Sequence, residues 1–236
     1  MPQIELLHTD CMSYMASLPD KAFDLAIVDP PYTDHFNTDN WVATSAAQGQ
    51  YADRQETLTG KMPTAEYFDE LRRVSSCQII WGGNYFSLPI SRGWIFWLKN
   101  LSDNYFSDGE LAWTSFDRVL KCFDFRWSGM LQGDMKNKEV KIHPTQKPVA
   151  LYRWLLQNYA KPGQRILDTH LGSGSIAIAC DLEGFALVGC EIDADYIKAA
   201  RHRLAVHQSA PRLFEATPAG LPQQLSLGDD VLSDGT

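Results

Sequence analysis

Two short stretches of this chain carry residue types that could do chemistry together. The apolar run Leu25-Ala-Ile-Val28 ends in Asp29-Pro30-Pro31-Tyr32. Two prolines restrict the backbone after the acid, so the carboxylate, the Pro30 carbonyl and the Tyr32 ring are presented together. Two acceptors can take the two hydrogens of an exocyclic amine, while a ring can stack on the face of a base. A strand running into a proline turn with an exposed tyrosine is the plainer alternative.

The second stretch is Arg165-Ile-Leu-Asp168-Thr-His-Leu-Gly172-Ser173-Gly174-Ser175. It reads as a strand delivering an acid, then a glycine turn that opens a helix. Glycines let the backbone approach a ligand, and free N–H groups at a helix start favour a carboxylate or phosphate. Seventeen residues after Gly174, the run Ala186-Leu-Val-Gly-Cys-Glu191 delivers another acid, suited to two ribose hydroxyls. The pair points to a nucleoside-containing cofactor.

These residues need a scaffold that brings strand ends to one edge. Seven apolar runs have the length and flanks of buried strands: Ile4-Leu7, Leu25-Val28, Ile79-Trp81, Trp94-Trp97, Leu111-Trp113, Arg165-Leu167 and Leu187-Gly189. Helical patterns cover Thr64 to Val74, Pro148 to Tyr159, Ser175 to Glu183 and Ala194 to His207. The alternation predicts an α/β fold, a Rossmann-like, doubly wound, largely parallel seven-stranded sheet with helices on both faces. Ligands bind such sheets at the carboxyl ends of the strands.

One domain over 1–207 is expected, with a polar, mobile loop over 33–62 and a flexible tail over 208–236. The 236 residues hold 21 Lys+Arg against 29 Asp+Glu, 44% hydrophobic content and no run of eighteen apolar residues, which excludes disorder and a membrane-spanning helix. No secretory signal is visible at the start, so a cytoplasmic location is expected. The cysteines at 11, 77, 122, 180 and 190 are odd in number and far apart, against a disulfide framework and against a metal site. The net charge of −8 argues mildly against a protein that coats nucleic acid, but Arg118 to Lys147 holds seven bases against three acids.

Asp29-Pro-Pro-Tyr32 together with the Gly-Ser-Gly motif resembles the amino-group DNA methyltransferases, which use S-adenosylmethionine to make N6-methyladenine or N4-methylcytosine. The catalytic motif comes first, and His143-Pro-Thr-Gln-Lys-Pro148 directly precedes the cofactor half, an order similar to the circularly permuted beta class. The resemblance covers roughly residues 4 to 206. It implies that Asp29, Pro30, Pro31 and Tyr32 form the catalytic turn, which holds the target amine and stacks on a flipped base. It implies a cofactor pocket of Asp10, Cys11, Asp29, Thr145, Lys147, Asp168, Gly172, Ser173, Gly174, Glu191 and Ile192, with Thr145 and Lys147 near the methionine carboxylate. A solvated loop lysine is the other reading of Lys147.

The resemblance further implies duplex DNA as partner and a small target-recognition region over 118–142. Arg126, Lys136, Lys138 and Lys141 are its DNA-binding candidates, and Trp127 is a candidate wedge. His35, Phe36, Asn37, Trp41 and Arg54 of the polar loop are candidates to close over the base. A homodimer and a cognate restriction endonuclease stay open as partners.

Thr169-His170 stands where the family commonly has Pro-Phe, and the favoured reading is a satisfied histidine at a turn. Asp29 favours adenine N6 as the target; N4-cytosine, RNA, a protein glutamine and a non-catalytic DNA-binding relative are the alternatives. No cysteine follows a proline, which speaks against a covalent C5-cytosine mechanism.

Overall fold

The structure, a computed structural model, describes residues 2–32, 62–101, 107–128 and 131–210. Residues 33–61 and 211–236 lie outside the described residues, and with them nearly all of the polar loop and of the tail. In chain order the elements are β1 (Ile4–His8), α1 (Cys11–Ala16), β2 (Phe23–Val28), α2 (Ala65–Val74), β3 (Ser75–Trp81), β4 (Trp94–Leu98), β5 (Gly109–Thr114) and β6 (Lys121–Asp124). They continue with α3 (Val149–Tyr159), β7 (Arg165–Asp168), α4 (Ser175–Glu183), β8 (Ala186–Glu191) and α5 (Ala194–Ser209).

The strands form one sheet in the order β1-β8-β7-β2-β3-β5-β4-β6. The described sheet therefore has eight strands rather than seven. The additional strand is β6, four residues reading Lys-Cys-Phe-Asp that pair with β4 at the sheet edge. Three of its four residues are exposed, so it lacks the apolar run by which a buried strand is recognised. Every described strand runs the same way except β5, which is antiparallel to both β3 and β4.

Side chains along a strand alternate between faces, and β2 shows what this does here. Leu25 and Ile27 enter a core with Leu151 and Leu155 of α3, Ile176 of α4 and Leu204 of α5. Ala26 and Val28 enter the opposite core with Met15 of α1 and Tyr67, Phe68 and Leu71 of α2. Both faces are thus covered by helices, as a largely parallel sheet requires.

Helix boundaries follow local chemistry. Asp193 caps α5 by accepting from the Asp195 and Tyr196 N–H groups at 2.8 and 2.9 Å. That helix continues to Ser209, two residues into the segment expected to be tail. Asp10 caps α1 through the Ser13 N–H at 2.8 Å. At six residues, α1 is too short to show a helical period in the sequence. Gly174 and Gly184 bracket α4 at φ +70° and +81°, a region that favours glycine.

Candidate active site

The parallel strands deliver their carboxyl ends to one edge, and two neighbouring groups of residues form there. β2 leads into Asp29, whose Oδ2 accepts from Lys147 Nζ at 2.6 Å. The same ammonium lies 3.0 Å from Glu110 Oε2, and Glu110 Oε1 accepts from Lys99 Nζ at 2.5 Å. Asp29, Lys147, Glu110 and Lys99 thus form a chain of alternating charge. Glu110 reaches this edge because β5 runs backward: its first residues, Gly109 and Glu110, pair with Leu98 and Trp97 at the end of β4.

Burial makes these pairings consequential. The Lys147 side chain is 2% exposed, against 15% for Asp29 and 21% for Glu110. The two ammonium groups sit over indole rings, Lys147 at 5.3 Å from the Trp81 centroid and Lys99 at 5.0 Å from that of Trp97. Desolvation would lower the Lys147 pKa, but the Asp29 and Glu110 carboxylates hold it well above the ordinary lysine value. For Glu110, desolvation is outweighed by Lys147 and Lys99, and its carboxyl is held down to about 2. Asp29 faces one cation directly, so desolvation wins and its carboxyl is raised above the ordinary aspartate value.

Asp29 Oδ1 is buried and has no hydrogen-bond partner among the described residues. Leaving a buried acceptor unsatisfied costs about 1–3 kcal/mol, so a ligand donor is the natural complement. Tyr32, three residues on, stacks against Tyr85 with centroids 5.0 Å apart and planes 6° from parallel. Gly82, at φ +67°, makes room for it: a Cβ there would lie 2.3 Å from the Tyr32 ring. A cavity of about 1530 Å³ opens beside these groups, lined by Tyr32, Tyr85, Lys99, Glu110, Lys138 and Lys141 among others.

The second group surrounds the ends of β7 and β8. Glu191 accepts from the Gly172 N–H at 2.8 Å through one oxygen and from the Asp193 N–H at 2.9 Å through the other. Gly172 and Gly174 have φ of +51° and +70°. Asp168 is buried and accepts from the His170 N–H at 3.0 Å; burial, with Asp29 and Glu191 nearby, pushes its carboxyl up to about 8. Ile192, directly after Glu191, is 70% exposed. The Thr9 N–H donates to the Glu191 carbonyl, which brings Asp10 and Cys11 to the same edge. Burial first, then the Asp10 charge, pushes the Cys11 thiol up to about 11, unlike an activated nucleophile.

The segment 143–147 joins the two groups. The His143 ring lies 3.8 Å from where a Gly172 Cβ would be, at 4.4 Å from the Tyr196 ring centroid, and burial lowers its pKa to about 4. Exposed Thr145 pairs with His143 Nδ1 at 3.0 Å, while Lys147 turns inward to Asp29. Lys147 is therefore not a solvated loop lysine.

Residues 97–202 match the DNA methylase family of N6- and N4-methyltransferases. Over that stretch the chain is similar to the amino-group DNA methylases.

The type II methyltransferase M.HpaI of Haemophilus parainfluenzae is 38% identical over 68 residues, 29% of this chain and 22% of that protein. The chain thus aligns with well under two thirds of that relative. Among solved structures, the M1.HpyAVI–SAM complex shares the fold at a TM-score of 0.51 and 21% identity, over 86% of this chain and 100% of that one. The cytosine-N4-specific PvuII DNA methyltransferase does so at 0.56 and 11%, over 91% and 89%.

Within the matched stretch, Trp127 reads differently in three dimensions and His170 reads as expected. Trp127 is 6% exposed, donates its indole N–H to the Gln146 carbonyl at 2.8 Å and belongs to the larger core. It ties the basic segment to the 143–147 segment and is not an exposed wedge; a tryptophan in a charged stretch looked accessible, but its ring had a core to join. His170 is a satisfied histidine: its Nδ1 meets Thr169 Oγ1 at 2.9 Å, that hydroxyl meets Tyr67 OH at 2.6 Å, and burial lowers its pKa to about 4.

The basic candidates separate. Lys138 and Lys141 line the cavity, Lys141 donating to the Pro144 carbonyl at 3.1 Å. Arg126 and Lys136 are exposed, Arg126 donating to the Asn100 carbonyl at 3.2 Å. Sequence reasoning missed Glu110, Lys99 and Tyr85. For Glu110 the signal was an acid at the mouth of the apolar run Leu111-Ala-Trp113.

Proposed function

We propose that this protein transfers the methyl group of S-adenosylmethionine to the exocyclic N6 amino group of adenine in DNA. The observation that carries the reading is Asp29: one carboxylate oxygen is anchored by Lys147, the other is buried without a hydrogen-bond partner among the described residues, and Tyr32, three residues on, lines the cavity. An amine of a base extruded into that cavity supplies the missing donor, with the Pro30 carbonyl as second acceptor and Tyr32 as the stacking surface.

The residues at β7 and β8 suit the cofactor chemically. Gly172, at φ +51°, faces the His143 ring at van der Waals distance, each Glu191 oxygen keeps a lone pair beyond its backbone bond, and Ile192 offers an exposed apolar surface beside it. These residues, with Asp10, Cys11, Asp168, Ser173, Gly174 and Thr145, would hold the ribose, adenine and methionine parts. When bound, the cofactor supplies an electrophilic methyl on a sulfonium, whose transfer leaves a neutral thioether.

The amine of adenine is a weak nucleophile because its lone pair is delocalised into the ring. Acceptors on its N–H bonds favour localisation of that pair, and the nitrogen sheds one proton once methylated. Asp29 Oδ1 is the first acceptor for that proton. The charge chain keeps the carboxylate in place while this happens.

Lys138 and Lys141 at the cavity, with exposed Arg126 and Lys136, are the proposed phosphate contacts on duplex DNA. The motif order, Asp29 before Gly172 along the chain, supports placement in the circularly permuted beta class. Cytosine N4 is the second reading, favoured by the shared fold of the PvuII enzyme. Labelled S-adenosylmethionine, incubated with protein and unmethylated duplex DNA, is followed by digestion and mass spectrometry of nucleosides. N6-methyldeoxyadenosine is expected; N4-methyldeoxycytidine would move the target to cytosine, and label found only in RNA or protein added as competitor would overturn DNA as substrate.

A further inference from the structure

We propose that Glu110 and Lys147 are positioning residues that act through charge on Asp29: Lys147 pins Oδ2, Glu110 shares that lysine's charge, and Oδ1 is left as an ionised, open acceptor. The inference rests on the methyl-transfer reading for its purpose, but its electrostatic content can be tested without turnover.

The geometry already shows the division of labour. Asp29 places both demands on one carboxylate: Oδ2 is fixed at 2.6 Å from Lys147, while Oδ1 is buried and unpartnered among the described residues. A buried lysine facing a single carboxylate would draw its negative charge toward the shared bond and weaken the free oxygen as an acceptor. Glu110 prevents this, because the same ammonium lies 3.0 Å from its Oε2. Glu110 in turn has a second cation, Lys99, at 2.5 Å, so two anions and two cations balance in a largely buried cluster. Such a balance is what allows charges to remain ionised away from water.

The two neighbours push Asp29 in opposite directions. Lys147 lowers its pKa and Glu110 raises it, with Lys99 lowering it from farther away. Other titratable groups facing Asp29 are Tyr32 beyond β2, Tyr67 on α2, Tyr152 on α3 and Asp168 on β7. None of these is a cation, so Lys147 and Glu110 are the main charges acting on a carboxylate that burial itself raises.

The test is the sign of two shifts. The Asp29 carboxyl is titrated by ¹³C NMR in full-length wild type, Glu110→Gln and Lys147→Met, with Asp29→Asn for assignment, and the acid limb of kcat is measured alongside. Removing Glu110 takes away a raising influence, so the Asp29 titration and the acid limb move to lower pH. Removing Lys147 takes away a lowering influence, so both move to higher pH. Lys99→Met, which removes a more distant cation, shifts them in the same sense as Lys147→Met and serves where that variant folds poorly. Plateau kcat is expected to fall about tenfold in Glu110→Gln with KM for the cofactor changed less than about twofold.

A purely structural role for the two residues predicts shifts of one sign, or none, and either result overturns the inference. If wild type yields no methylated nucleoside, the functional reading fails, while opposed titration shifts still uphold the charge relation.

Discussion

The two halves of the sheet's carboxyl edge are built by different means. Around β7 and β8 the contacts are local and largely made by backbone: the Gly172 N–H reaches Glu191 over 19 residues, and Asp193 binds the same carboxylate from two residues away. Around β2 the contacts are between charged side chains, and the Asp29–Lys147 pair spans 118 residues. A site made of turns and N–H groups tolerates change in its surroundings. A site made of a charge chain couples each member to every other, so one substitution redistributes the rest.

The sharpest way to separate the halves is Asp29→Ala. Turnover should fall about 10³-fold or more, as for loss of a principal polar group at a reacting atom, while calorimetric affinity for the cofactor stays within about threefold. Loss of cofactor affinity in proportion would merge the two halves into one site.

The complementary break is Glu191→Ala. It removes two hydrogen bonds to a carboxylate, each about 1.5–3 kcal/mol, and should weaken cofactor affinity about a hundredfold or more with a smaller change in kcat. Unchanged affinity by calorimetry would remove Glu191 from the cofactor pocket.

Gly82→Ala sharpens the comparison on the Asp29 side. A Cβ 2.3 Å from the Tyr32 ring, at φ +67°, must displace the ring or the backbone. Expected are roughly tenfold lower kcat and a stability loss of about 1–3 kcal/mol, read by kinetics and denaturant titration. A variant with wild-type rate would show that the Tyr32 position is not required.

The smallest effect is expected from Asp168→Asn, read as stability against pH. The folded carboxyl titrates near 8, above the ordinary value of 3.8, so the folded protein holds a proton that the unfolded chain releases between these values. The stabilising contribution is full below the lower value and is lost as pH rises through the upper one, with a slope of at most about 1.4 kcal/mol per pH unit. The asparagine variant should flatten that slope in cofactor-free protein; an unchanged slope would assign it to other groups.

The sequence by itself determined much of the scaffold. The seven apolar runs became seven strands, since burial on both faces requires continuous apolar residues. Leu151, Leu155, Leu156 and Tyr159, spaced for one face, are the buried face of α3, with Tyr152 added. Asp29, Asp168 and Glu191 each stand at or just after a strand end, because a run that stops at an acid marks where the sheet stops.

Tertiary structure decided the rest. β6 pairs only because β4 offers it an edge, and Trp127 is buried only because a core lies beneath it. Lys147 left the surface because Asp29 and Glu110 converge on it, and Glu110 reaches that point only because β5 runs against its neighbours. Backbone turns and apolar periodicity are properties of neighbours in sequence, so they can be read along the chain. The strength of a charge pair depends on distance and on exclusion of water, and both are set by strand order and direction, which no local pattern records.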